Sequence, residues 1–139
     1  MKWSLACFLL FLPLVAIHAQ QERKQAEKEV RAMSRELQLD ASQKNIVRDI
    51  QLEYFSNHRE IEGLKNSNYR LYLQKCRNIR LGMEAMVAKV LDQGQRAEYL
   101  NSIEAQKSSL QAELYELQKQ GMSKEQLELR ALEWYLPME

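Results

Sequence analysis

The sequence predicts an all-α chain, an elongated hairpin of long helices. Three observations carry that reading. Between Gln21 and Leu136 there is no proline and no β-type alternation of useful length. The apolar residues recur in steps of three and four, the spacing of one helix face. Two matching pentads, Leu39-Asp40-Ala41-Ser42-Gln43 and Leu91-Asp92-Gln93-Gly94-Gln95, each put an N-capping Asp before such a pattern, with Gln at N3 able to close a capping box. A large apolar residue, Val47 or Tyr99, follows each pentad's Leu by eight positions.

A chain of 139 residues holds one small domain, and its first 19 residues read as a separate segment. Lys2 supplies a positive start, Leu5 to Ile17 is apolar, and Ile17-His18-Ala19 precedes the polar Gln20-Gln21-Glu22-Arg23. This is the pattern of a secretory signal, with cleavage expected after Ala19 and residues 20–139 forming the helical domain with an amphipathic tail. The apolar run is short against the roughly 17–25 residues of a transmembrane helix, so the mature chain is expected to have no span; an uncleaved N-terminal anchor is the alternative. Cys7 lies near the start of the run, not at the cleavage point, which argues against a lipoprotein.

Loss of Lys2 with the signal leaves 19 basic and 19 acidic residues and a formal charge of zero. Nucleic acid is excluded as a general partner, because phosphate binding draws on an excess of Lys and Arg. Cys76 is then the only thiol, unable to form an internal disulfide. In an oxidising compartment it is either buried or open to a partner, and its place on an apolar stripe favours burial.

Along the chain, Gln21 to Leu37 reads as a charged helix with a narrow stripe of Ala26, Val30, Met33 and Leu37, marginal alone and expected either to dock on later helices or to fray. Beyond Asp40, a helix to about Lys65 carries a heptad seam of Val47, Ile50, Tyr54, Asn57, Ile61 and Leu64, widened by Ile46. Asn66-Ser67-Asn68 is the best mid-chain turn, or else a weak spot in a longer bent helix. From Tyr69 the seam restarts as Tyr69, Tyr72, Cys76, Ile79, Met83, Met86 and Val90. After Asp92, a helix to about Gln120 shows Leu100, Ile103, Leu110, Leu114 and Leu117, interrupted by Lys107 and closed by Gly121 at C′. Ser123 to Gln126 opens a last helix with Leu127, Leu129, Leu132, Trp134, Tyr135 and Leu136, too apolar for water. It is expected to fold back or to lie across a second subunit. Narrow seams on long rods leave apolar surface that a symmetric homodimer would cover.

Little here points to catalysis. His58 is the only histidine after the signal, and Cys76 has no evident base, so no catalytic residue, cofactor or metal is expected; one His and one Cys do not complete a zinc site. The distinctive surface is Arg70, Lys75, Arg77 and Arg80 interleaved with Tyr69, Tyr72, Leu71 and Leu73, beside Met83 and Met86. Cations, rings and pliable thioethers suit loose binding of varied partners. The alternative is an ordinary interhelical seam flanked by solvated charges.

The export signal, the all-helical chain and the paired pentads resemble the periplasmic LTxxQ family typified by Spy and CpxP, which includes the zinc resistance-associated proteins. Leu39, Gln43, Leu91 and Gln95 fall on the motif positions, with Asp40 and Asp92 where the family has Thr, a residue that caps comparably. The resemblance implies a long helical hairpin, a thin antiparallel dimer, and work as an ATP-independent chaperone or as a restraint on envelope-stress signalling. The His-rich metal-binding stretch of the zinc-associated members is absent. The expected function is therefore binding of exposed apolar segments of unfolded or envelope proteins in the periplasm. The alternative is a regulatory or structural helical protein with one defined envelope partner. Neither is an enzyme.

Overall fold

The computed structural model describes residues 8–137, with side chains from residue 17 onward; the first seven residues of the expected signal, Cys7 among them, lie outside the described residues. Among the described residues all regular structure is helical: α1 (Phe8–Leu37), α2 (Ala41–Ile61), α3 (Leu64–Ser67), α4 (Tyr69–Val90), α5 (Gln93–Lys119) and α6 (Lys124–Glu133). No helix among them is long and apolar enough to cross a membrane.

Helix α2 is the central element. Its ion pairs to α1, Arg48 with Glu27 and Arg59 with Glu22, set those two helices antiparallel. On the other side, Gln43 reaches Val90 and Gln51 reaches Met83, so α4 also runs antiparallel to α2. A helix sandwiched between two others buries more than one stripe, and α2 buries Val47, Ile50 and Tyr54 together with Gln51 and His58. That is why the predicted seam is incomplete. Asn57 is only half-buried, His58 next to it takes the interior position, and Ile46 points to solvent instead of widening the stripe.

Helix α4 departs from its predicted seam in part. Tyr72 and Cys76 are buried as the spacing predicts, Leu73, Glu84 and Val87 join them, Tyr69 is exposed, and Ile79, Met83, Met86 and Val90 are half-buried. Between α2 and α4 the chain breaks at Glu62-Gly63, makes one turn of α3, and restarts at Asn68. The extended backbone of Asn68 (φ −156°, ψ 82°) and its side-chain oxygen, accepting from the Leu71 N–H at 3.1 Å, cap α4. Asn66 and Ser67 thus lie within α3, and the helical path ends at Asn68.

Two apolar clusters result. One joins Val30, Leu37, Leu39, Val47, Ile50, Val87, Leu91, Tyr99 and Ile103, so both pentad leucines and both following apolar residues share one core. The other is Tyr72, Leu73 and Cys76, packed by Ile61 and Leu64 and covered by Leu129, Leu132 and Leu136. Helix α5 enters the first cluster only through Tyr99 and Ile103; Leu100 faces solvent. It closes at Gly121 (φ 89°), with the Met122 N–H donating to the Leu117 carbonyl and the Gly121 N–H to Gln118, a Schellman ending that turns the chain into α6. Of the two positions expected for the tail, the chain takes the first and folds back.

Candidate functional site

The two pentads meet. Each Asp accepts a hydrogen bond from the N3 backbone (Gln43 N to Asp40 Oδ1 2.8 Å; Gln95 N to Asp92 Oδ1 2.9 Å), and each Gln side chain accepts in return from the cap N–H. The glutamines then bond each other: Gln43 Nε2 donates to Gln95 Oε1 at 2.7 Å, and Gln95 Nε2 to Gln43 Oε1 at 3.2 Å. Their remaining donor hydrogens go to backbone carbonyls, Gln43 to Val90 at 3.2 Å and Gln95 to Leu37 at 3.0 Å. Each amide therefore uses both lone pairs and both N–H groups, its full complement. Only Gln, with an acceptor and two donors at this reach, satisfies all of these; Asn is short by one methylene and Glu lacks the donors. Gln38 takes the left-handed conformation (φ 53°) immediately after Leu37, the residue whose carbonyl Gln95 holds.

The cationic and aromatic face of α4 is partly covered, because α6 and the tail lie on it while Tyr69, Arg70 and Arg77 keep an exposed side. Arg70 pairs with Glu128 at 2.7 Å and the Tyr69 hydroxyl donates to Glu133 at 3.1 Å. Arg77 stands over the Tyr135 ring and Arg80 over the Trp134 ring, the latter at 4.0 Å from the centroid. Beneath them, Tyr72 is 6 % exposed and Leu73 and Cys76 are fully enclosed. Met83 and Met86 lie further along α4, against the first cluster. The structure thus brings Tyr69, Arg70, Tyr72, Arg77 and Arg80 together around α6 and the tail, while the two methionines pack on the other cluster, Met83 sharing a cavity wall with Arg80.

Arg80 is the junction. Its guanidinium donates to Glu84 (3.0 Å), to the Trp134 carbonyl (2.9 Å) and to Gln106 (3.3 Å), tying α4 to α5 and to the tail. Beside it lies a cavity of about 240 Å³ lined by Met33, Gln51, Tyr54, Met83, Glu84 and Tyr99 among others. Burial pushes the Tyr54 hydroxyl up to about 12 and raises Tyr99 as well, so both stay protonated.

Neither residue weighed for chemistry is set up for it. Burial raises the Cys76 thiol, which keeps it protonated and a poor nucleophile. His58 is 7 % exposed, its ring edge-on to Tyr54 at 4.6 Å, and neither ring nitrogen has a hydrogen-bond partner among the described residues; burial lowers it to about 4. Among the described residues no group of three or more His, Cys, Asp or Glu is placed to hold a metal ion.

Sequence patterning missed the buried polar residues Gln51, His58 and Glu84, and the partners Glu128, Glu133, Trp134 and Gln106. The available signal was the Leu129, Leu132, Leu136 spacing with carboxylates at Glu128 and Glu133, complementary to the α4 cations.

No family model, curated protein or solved structure matches this chain.

Proposed function

We propose that the protein is an exported, periplasmic binding protein of chaperone type. It is read as an elongated helical hairpin, completed by a second copy, that holds exposed apolar segments of unfolded or envelope proteins without nucleotide and without a catalytic step. One observation supports this reading above the others: the α4 face carries an amphipathic segment by apolar packing at its centre and charge pairing at its rim. A face of that kind recognises a pattern, not a sequence, because leucine packing is non-directional and rim ion pairs discriminate weakly. The proposed dimer has a motive in the surface. Ile46 and Leu100 are among the exposed apolar side chains of the described residues, and a second copy would cover surface of that kind.

The test is suppression of aggregation of several unfolding model proteins at near-stoichiometric ratio without ATP. Suppression across clients is expected; no suppression of any of them removes the reading. Binding to one defined envelope partner is the second reading, favoured by the residue-specific pairing of α6 with α4. A pull-down that returns a single stoichiometric partner would decide for it.

A further inference from the structure

Helix α6 differs from the other long elements in one respect. None of its residues is buried, although two of its leucines, with Leu136 just beyond its end, cover Tyr72, Leu73 and Cys76 of α4. It has 10 residues, and an isolated helix of about that length is marginal in water. It is reached through Gly121-Met122-Ser123, where the chain turns with positive φ. Its ion pairs are half-exposed: Arg70 with Glu128 to α4, and Arg130 with Glu113 to α5. Such pairs contribute little each. An element held by one row of leucines, two aromatic stacks and rim charges is the first expected to open.

What lies beneath has the chemistry of a docking groove. Tyr72, Leu73 and Cys76 form the floor, Ile61 and Leu64 one wall, and Arg70, Arg77 and Arg80 the rim. Its resident occupant defines the ligand. Leu129, Leu132 and Leu136 stand at i, i+3 and i+7, carboxylates at Glu128 and Glu133 meet Arg70 and Tyr69, and the aromatic pair Trp134-Tyr135 meets Arg80 and Arg77.

We infer that the α4 groove is a docking site for an amphipathic helical segment of another protein, with leucines at i, i+3 and i+7, flanking carboxylates and a C-terminal aromatic residue, and that α6 is an intramolecular stand-in which the segment displaces. This deepens the reading above by naming the segment and its competitor, and it rests on that reading only for its biological setting. A ligand that must displace α6 binds more weakly by the opening equilibrium, so freeing α6 raises its affinity.

The experiment uses the full chain with Cys7→Ser, leaving Cys76 as its one thiol, and a fluorescent peptide of residues 123–137 as the probe. Leu132→Cys is oxidised onto Cys76 to lock α6 down. Glu128→Lys with Glu133→Lys sets like charge against Arg70 and removes the acceptor from Tyr69, loosening α6. Circular dichroism establishes that each variant is folded. Expected are at least tenfold tighter peptide binding by the loosened variant than by the parent, none by the locked variant, and recovery of parent behaviour when the lock is reduced. Cys76 should react with a soluble thiol reagent faster in the loosened variant than in the parent. Peptide binding indifferent to locking and loosening overturns the inference, as does thiol reactivity equal in parent and loosened variants. A disulfide between chains in place of one within a chain would make a second copy's α6 the occupant, which also overturns it. Peptide binding as expected with no suppression of aggregation would leave the groove standing and remove only the chaperone reading; suppression with no peptide binding would do the reverse.

Discussion

Replacing Gln43 by Glu separates the two things its side chain does. The carboxylate can still accept from the Asp40 N–H, so the local capping box survives. It can no longer donate to the Val90 carbonyl or to Gln95 Oε1, and it sets a negative charge against both acceptors. Two lost hydrogen bonds at about 1 kcal/mol each, plus the cost of facing acceptors, give a loss of about 2–4 kcal/mol at pH 7. For a chain of this size that is roughly 10 °C in melting temperature. Thermal and urea unfolding followed by helical circular dichroism measure it. The introduced carboxyl is pushed upward in the folded state, so its deficit should shrink as the pH falls and the group becomes a donor again. The same reasoning requires coupling between Gln43→Ala and Gln95→Ala, each of which removes the partner of the other. The double variant should lose about 1 kcal/mol less than the sum of the singles. Strict additivity, together with Gln43→Glu as stable as the parent at pH 7, would refute the claim that the two amides fasten the helices together.

The remaining predictions concern single positions. His58 is held neutral down to about 4 against an ordinary 6.5, so the unfolded chain takes up a proton that the folded chain refuses. Its contribution is complete above 6.5 and is lost as the pH falls through that window, by up to about 3 kcal/mol. His58→Leu should flatten this part of the pH dependence, seen as the difference from the parent in urea midpoints at a series of pH values. Gln38 and Gly121 both have positive φ, and nothing stands within 4 Å of a Cβ added at Gly121. Gln38→Gly should therefore stabilise and Gly121→Ala destabilise, each by about 1 kcal/mol, read from the same unfolding curves. Arg80→Lys loses the planar fork that reaches Glu84, Gln106 and the Trp134 carbonyl at once. It should cost about 1–2 kcal/mol and loosen the tail, seen as increased quenching of Trp134 fluorescence in a Trp3→Phe background.

The helical class, the boundaries set by Asp40, Asp92, Ser123 and Gly121, and the larger core except Val87 were legible, because apolar spacing and caps repeat at offsets of about one helical turn. Local hydrogen-bond chemistry is written in the sequence at fixed offsets. The interior of α2 and α4 was legible only in part: Val47, Ile50, Tyr54, Tyr72 and Cys76 follow the apolar spacing, whereas Val87 and the polar interior positions do not. A pattern that admits only apolar residues cannot see that Gln51, His58 and Glu84 are interior, and a helix with neighbours on two sides buries more than one seam. Nor could spacing say that Gln43 and Gln95 would meet across 52 positions. The pentads looked like two independent caps; that their side chains complete one another is a fact of tertiary placement. The cationic patch was legible as a composition, but its cover was not, since Glu128 lies 58 residues from Arg70.

The joining of the pentads has a consequence for which insertions and deletions the chain tolerates. From Ala41 outward the chain runs 21 residues in α2, and it returns through 22 in α4. At 1.5 Å per residue the outbound and homeward paths are nearly equal, as they must be if both are anchored at one latch. Dropping a residue from either rod would shift one anchor by that rise and swing its side chains by about 100°. The corner from Glu62 to Asn68 lies far from that latch and is fixed mainly by Leu64 and the Asn68 cap, so it can absorb added or missing residues between them. Length variants of this protein should therefore be viable at the far bend, or when both rods change together by whole turns.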